Sequence, residues 1–124
     1  MQQMESNMYV RTGFTPLRMI SGQKEPVTLQ VSITNRSESS RGYSVNVKAP
    51  SKFSFDRTGL MADKRVRIGF IPSKETKTAS FNLYGKIGLP KGLYDMDVII
   101  REHRTRFDQV DAQKKVTATL RVED

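Results

Sequence analysis

The residues best suited to chemistry in this chain are few, and they are scattered. His103, the one histidine, follows Glu102 and stands near Asp108 and Asp111. A carboxylate beside a histidine could orient a general base. On a polar, charged connection, however, a single histidine reads as solvent-exposed, and the spacing of His103, Asp108 and Asp111 matches no metal-ligand motif. Ser21-Gly22-Gln23-Lys24 has the Ser-x-x-Lys spacing of serine acyl-enzymes, where a helix sets the lysine one turn from the hydroxyl. Here it lies in a turn just before Pro26, with neither companion motif present, and reads as coincidence. Asp95 and Asp97, two residues apart on one strand face, could help hold a calcium ion. They fit better as cross-strand partners of Lys48 or Arg121. No catalytic residues, metal site or cofactor are assigned.

Basic residues with aromatic neighbours form the remaining candidate surface: Lys52 and Arg57 around Phe53 and Phe55, then Lys64, Arg65 and Arg67, and Arg101, Arg104 and Arg106 before Phe107. Arg57, Lys64, Arg65, Arg67, Arg101, Arg104 and Arg106 are the candidates for contact with a polyanion. The chain carries 21 Lys+Arg against 13 Asp+Glu, a net charge of +8. Residues 36–74 hold nine cations against Glu38, Asp56 and Asp63, a net +6 of that total. Such an excess steers acidic partners, and it also solubilises a surface and guards sheet edges. Single-strand nucleic-acid binders need exposed stacking rings beside the charge. Phe53 and Phe55 have core spacing, so Phe107 is the one ring expected to be exposed. No RNA-recognition signature and no Gly-rich phosphate loop occurs. Asn35-Arg36-Ser37 is a glycosylation sequon, expected in an exposed loop.

The elements that position these residues are strands. Val27, Leu29, Val31 and Ile33 alternate with Thr28, Gln30, Ser32 and Thr34, the period of a half-buried strand. The alternation recurs at Tyr43–Val47, Val66–Phe70, Ala79–Leu83, Tyr94–Ile100 and Val116–Val122, with turn residues roughly every 8–12 positions and no convincing helix. This predicts an all-β, immunoglobulin-like antiparallel β-sandwich of seven to nine strands. The expected core is Val27, Leu29, Val31, Ile33, Val45, Val47, Phe53, Phe55, Val66, Ile68, Phe70, Phe81, Leu83, Tyr94, Met96, Val98, Ile100, Val116, Leu120 and Val122. Residues 1–8 read as a flexible leader and 9–124 as a single domain. No cysteine is present, which excludes disulfides and thiol chemistry, and no apolar run is long enough for a membrane span.

The order of elements resembles a known family. A strand ends in Asn35, another ends in Pro50, a charged turn follows Arg67-Ile68-Gly69-Phe70, and Gly92-Leu93-Tyr94 opens a long penultimate strand. Over roughly residues 14–123 this resembles the cell-adhesion-related domain found in bacteria and archaea (CARDB), an immunoglobulin-like module of prokaryotic envelope proteins. The resemblance implies a non-catalytic module contacting another protein or an acidic glycan, located in the envelope or outside the cell if it is part of a longer chain. The alternative is a cytoplasmic basic module that binds nucleic acid or another polyanion. Oligomeric state is not legible.

Overall fold

The computed structural model describes residues 8–124. Nine strands run through them: β1 Met8–Thr15, β2 Arg18–Ile20, β3 Val27–Asn35, β4 Arg41–Lys48, β5 Phe53–Ser54, β6 Asp63–Ile71, β7 Thr76–Gly85, β8 Gly92–His103 and β9 Ala112–Glu123. They form a four-stranded sheet, β1-β3-β7-β5, facing a five-stranded sheet, β2-β9-β8-β4-β6. Pairing is antiparallel throughout, except where β2 lies parallel to the end of β9. The chain passes from the first sheet to the second at Thr15 and Pro16, which are joined by a cis peptide bond. The architecture is the expected immunoglobulin-like sandwich. No helix among the described residues is long and apolar enough to cross a membrane. Residues 1–7 of the expected leader lie outside the described residues, whereas Met8 is the buried first residue of β1.

Alternation decides which face each strand buries. Along β3 the even positions are half-exposed, while Val27, Leu29, Val31 and Ile33 are fully buried. Each such aliphatic side chain contributes about 1.5–3 kcal/mol on leaving water. Most of the expected core is buried as read, but Val66, Ile68, Tyr94 and Val116 are only partly covered. Phe70 is a correction, being 43% exposed. A bulge causes it. Tyr43 pairs with Gly69, but Ser44 pairs with Arg67, so Ile68 is an extra residue in β6. Gly69 takes φ 96°, a left-handed conformation that glycine adopts without a Cβ clash. The inserted residue reverses the parity beyond it, and Ile71 enters the core in place of Phe70.

Met19 and Leu89 are buried although neither belongs to an alternating run. They meet over Gly85, where a Cβ would stand 2.9 Å from the Leu89 Cδ2 and from the Met19 Sδ. Tyr94 sets its ring edge-on to Phe53, 5.0 Å between centroids, and its hydroxyl donates to the Pro90 carbonyl at 2.6 Å.

Asn35 corrects the sequon reading. Its side chain is 0% exposed, and Nδ2 donates to the carbonyls of Ser39 (2.9 Å) and Ile71 (2.8 Å). Oδ1 accepts from the Ser37 amide and hydroxyl. The folded protein therefore offers no free amide here for a glycan. Asn35 instead ties the β3–β4 turn to the end of β6.

Candidate functional site

Register gathers part of the predicted basic set on the outward face of the five-stranded sheet. One row crosses it as Arg65, Asn46, Ile99 and Lys115, and the next as Arg67, Ser44, Arg101 and Gln113. Neighbouring rows on one face lie about 7 Å apart, and β6 and β8 are separated by about 10 Å. Arg65 and Arg67 are exposed at the sheet edge, and Arg101 is half-buried, its Nε donating to Gln113 Oε1 at 3.2 Å. Lys115, absent from the sequence candidates, joins this face and reaches Asp97 at 3.9 Å. Its alternation with Val116 could have flagged it, but which strand lay beside it could not be read.

The remaining candidates are dispersed. Lys64 pairs with core-facing Val47, so its parity is opposite to that of its neighbours. Arg57 lies at the other end of the sandwich, its guanidinium 5.2 Å from the centroid of the Tyr84 ring. Arg104 and Arg106 sit on the 104–111 loop, where the Arg104 amide donates to Asp111 Oδ2 and Arg106 is paired with Asp108.

His103 is the main correction. It is 2% exposed, the last residue of β8 rather than a loop residue. Its Nδ1 stands 2.9 Å from the Gln109 carbonyl, which can only accept, so Nδ1 carries the proton in the neutral ring. Nε2 then accepts from the Ser44 hydroxyl at 2.9 Å. A hydroxyl on a base with a fixed tautomer has the layout of an activated nucleophile. Here both groups are buried and the Phe107 ring lies 4.8 Å from the imidazole. The pair fastens the 104–111 loop to the sheet. Phe107 is half-buried rather than exposed, packed edge-on to Phe70 at 5.3 Å with the Arg67 guanidinium 4.4 Å above it. Gly42 makes room for that ring, since a Cβ there would stand 2.8 Å from Phe107 Cζ.

Asn46 has a different status. It is 8% exposed, and its Oδ1 has no hydrogen-bond partner among the described residues. Its register neighbours are Arg65 and Ile99. An orphaned buried acceptor costs about 1–3 kcal/mol.

On the inner side, the Tyr43 hydroxyl donates to buried Glu102 at 3.2 Å, with Arg41 3.7 Å from the same carboxylate. Burial foremost, and then the Glu102 charge, push the Tyr43 phenol well above its ordinary range. At the opposite end, Asp56 accepts hydrogen bonds from Ser54, Thr58, Leu60 and Met61, and these hold its carboxyl down at about 2. Asp97 stands opposite Lys48 in register and makes its cross-strand ion pair with Lys115, while Asp95 accepts from the Thr119 hydroxyl. Among the described residues no group of three His, Asp or Glu side chains is placed to hold a metal ion.

The outward face of the other sheet is almost uncharged. Its rows read Tyr9–Thr34–Thr76, Arg11–Ser32–Thr78, Gly13–Gln30–Ser80 and Thr15–Thr28–Asn82. Side-chain bonds cross it: Thr34 to Thr76 at 2.6 Å, Ser32 to Thr78 at 2.8 Å, Thr28 to Asn82 at 3.0 Å and Thr15 to Gln30 at 3.1 Å.

No protein-family model matches this chain, and no curated protein matches it in sequence. Solved structures do match its fold. AvmM, which catalyses macrocyclisation in alchivemycin A biosynthesis, superposes with TM-score 0.59 at 12% identity, over 97% of this chain and 90% of that one. Self-complemented MyfA, the major subunit of Myf fimbriae from Yersinia enterocolitica, gives 0.55 at 17% identity, over 94% and 99%. The Pseudomonas fluorescens alkylpurine DNA glycosylase AlkC gives 0.51 at 10% identity, over 96% of this chain but 31% of its own. The fold is thus shared by a structural subunit and by enzymes, and function must be argued from the site.

Proposed function

We propose that this chain is a non-catalytic interaction module that contacts an acidic protein or acidic glycan through the outward face of its five-stranded sheet. One observation carries the reading: Arg65, Arg67, Arg101 and Lys115 share that face in two adjacent register rows. Cations so grouped attract an anionic partner over a distance, and guanidinium groups then hold carboxylate or sulfate oxygens by paired N–H donors. The CARDB-like order of strands, and a fold shared with a fimbrial subunit, support an envelope or adhesion setting. Detection of the native protein in fractionated cells tests that setting, and recovery in the soluble cytoplasmic fraction would overturn it.

A second reading, nucleic-acid binding, draws on the Phe70 and Phe107 rings beside Arg67. A salt series on immobilised acidic polysaccharide, poly-glutamate and single-stranded DNA separates the two. The proposed module holds polysaccharide or poly-glutamate at moderate salt, and R65Q/R67Q abolishes this. Preferential retention of DNA with a steep salt slope would transfer the face to nucleic acid.

A further inference from the structure

We infer that the cationic face reads a uronate-bearing glycan, with Asn46 as the group that recognises the sugar. The inference rests on the proposed acidic-partner function and gives it a ligand class. Charge alone does not account for Asn46. A residue more than nine-tenths buried on the outward side of a central strand, with an unpartnered carbonyl oxygen, is a liability that an apolar side chain would remove. Its Oδ1 can only accept, so whatever satisfies it must bring a donor. Polyphosphate and sulfate groups supply acceptors only, and the donors of DNA lie on its bases, away from the charged phosphodiester. A uronate ring supplies both parts, a carboxylate for arginine and hydroxyl donors across the same ring.

The spacing agrees. Asn46 stands directly opposite Arg65 in register, one strand spacing or about 5 Å inward, on the order of the distance from a pyranuronate carboxylate to its far hydroxyls. Ile99 flanks Asn46 on the other side, half-buried, and offers an aliphatic surface to the C–H face of the ring. Arg67, two residues along β6, stands beside the same carboxylate or that of the next sugar. Arg65 is exposed, so its side chain can swing toward the carboxylate and open the way to Asn46. Ser44, the other buried polar group here, is occupied by His103 and takes no part. A peptide would bring N–H donors too, but the bulge at Ile68–Gly69 breaks the β6 edge along which an extended peptide would pair.

The test uses the full chain, with oligogalacturonate as probe and polyphosphate and poly-glutamate as controls, by calorimetry at fixed salt. Asn46→Val should raise the melting temperature, weaken oligogalacturonate by about tenfold and leave polyphosphate within about twofold. Asn46→Asp keeps the shape, places a carboxylate among the arginines, and should weaken all three probes. Equal loss on oligogalacturonate and polyphosphate, no loss at all, or a lower melting temperature for Asn46→Val would overturn the inference. So would tighter binding of poly-glutamate with the same Asn46 dependence, which would make the occupant an acidic peptide. If R65Q/R67Q weakens every probe while Asn46→Val weakens none, the acidic-partner function stands and the uronate assignment falls. If R65Q/R67Q weakens none, the face itself is wrong.

Discussion

The two solvent faces of this sandwich are built from opposite materials. On the four-stranded sheet, hydroxyls and amides bond one another across the strands, and Arg11 is the one charged side chain in its rows. On the five-stranded sheet, Arg65, Arg67, Arg101 and Lys115 lie in two adjacent rows, one of which holds the buried Asn46 carbonyl, unsatisfied among the described residues. The row beyond Asn46 carries Asp63, Lys48 and Asp97. Edge protection does not account for the contrast. Both β1 and β6 are edge strands, yet β1 carries Arg11 alone while β6 carries Lys64, Arg65 and Arg67. The strand surface of one sheet is therefore charged and incompletely satisfied, and that of the other is nearly neutral and closed by its own hydrogen bonds.

Moving the charge is the strongest way to break this contrast. R65E/R67E should cost acidic-polymer binding at least about a hundredfold at low salt, a difference of about 2.7 kcal/mol, while T78E/S80E on the neutral face should change it by less than about threefold. Equal effects in surface-retention assays would mean that net charge, not the face, governs binding.

Next in size is Gly42→Val. The new Cβ would meet Phe107, 2.8 Å away, and the His103 carbonyl, 3.3 Å away, so the 104–111 loop must lift and Arg67 lose its ring. Chemical denaturation should show a loss of about 1–3 kcal/mol. A glycine-sized change with no effect would show that the loop does not dock.

Smaller, and informative by its sign, is Thr34→Ala on the neutral face. It removes one partner of an exposed cross-strand pair and should destabilise by about 0.2–1 kcal/mol, whereas Asn46→Val on the cationic face should stabilise. Destabilisation by both, in the same melting experiment, would place the two faces on an equal footing.

The smallest effect is local and set by pH. The folded Asp56 carboxyl sits at about 2 against an ordinary 3.8, so its hydrogen bonds add stability above pH 4 that fades as pH falls toward 2. The protection factors of the Leu60 and Met61 amides, measured against their intrinsic exchange rates, should fall over that window, and be lower at every pH above it in Asp56→Ala. Both outward faces should be untouched.

Strand positions were legible because burial imposes a period of two, and β3 repeats it four times without interruption. The same rule failed at Phe70, where one inserted residue, with no marker but Gly69, reverses the parity. Met19 and Leu89 carried no periodic signal, being brought into the core by a three-residue strand and a loop. In the candidate site, the alternation of Arg65, Val66 and Arg67 showed that two cations share a face. Lys115 and Asn46 could not be added, because strand order is a long-range property. His103 and Asn35 were misjudged for a common reason. Each is polar and sits at a strand end, and its burial depends on partners far along the chain: Ser44 for the first, Ile71 for the second.

The bulge in β6 also bears on how this molecule behaves in a crowd. A foreign strand docking in regular register along that edge could match its inside-outside order on one side of Gly69, and would be one step out of phase on the other. Added to that mismatch are three cations that repel a second copy of the same edge. The β6 edge is thus a poor template for sheet growth, and copies of this chain should have little tendency to polymerise through that rim.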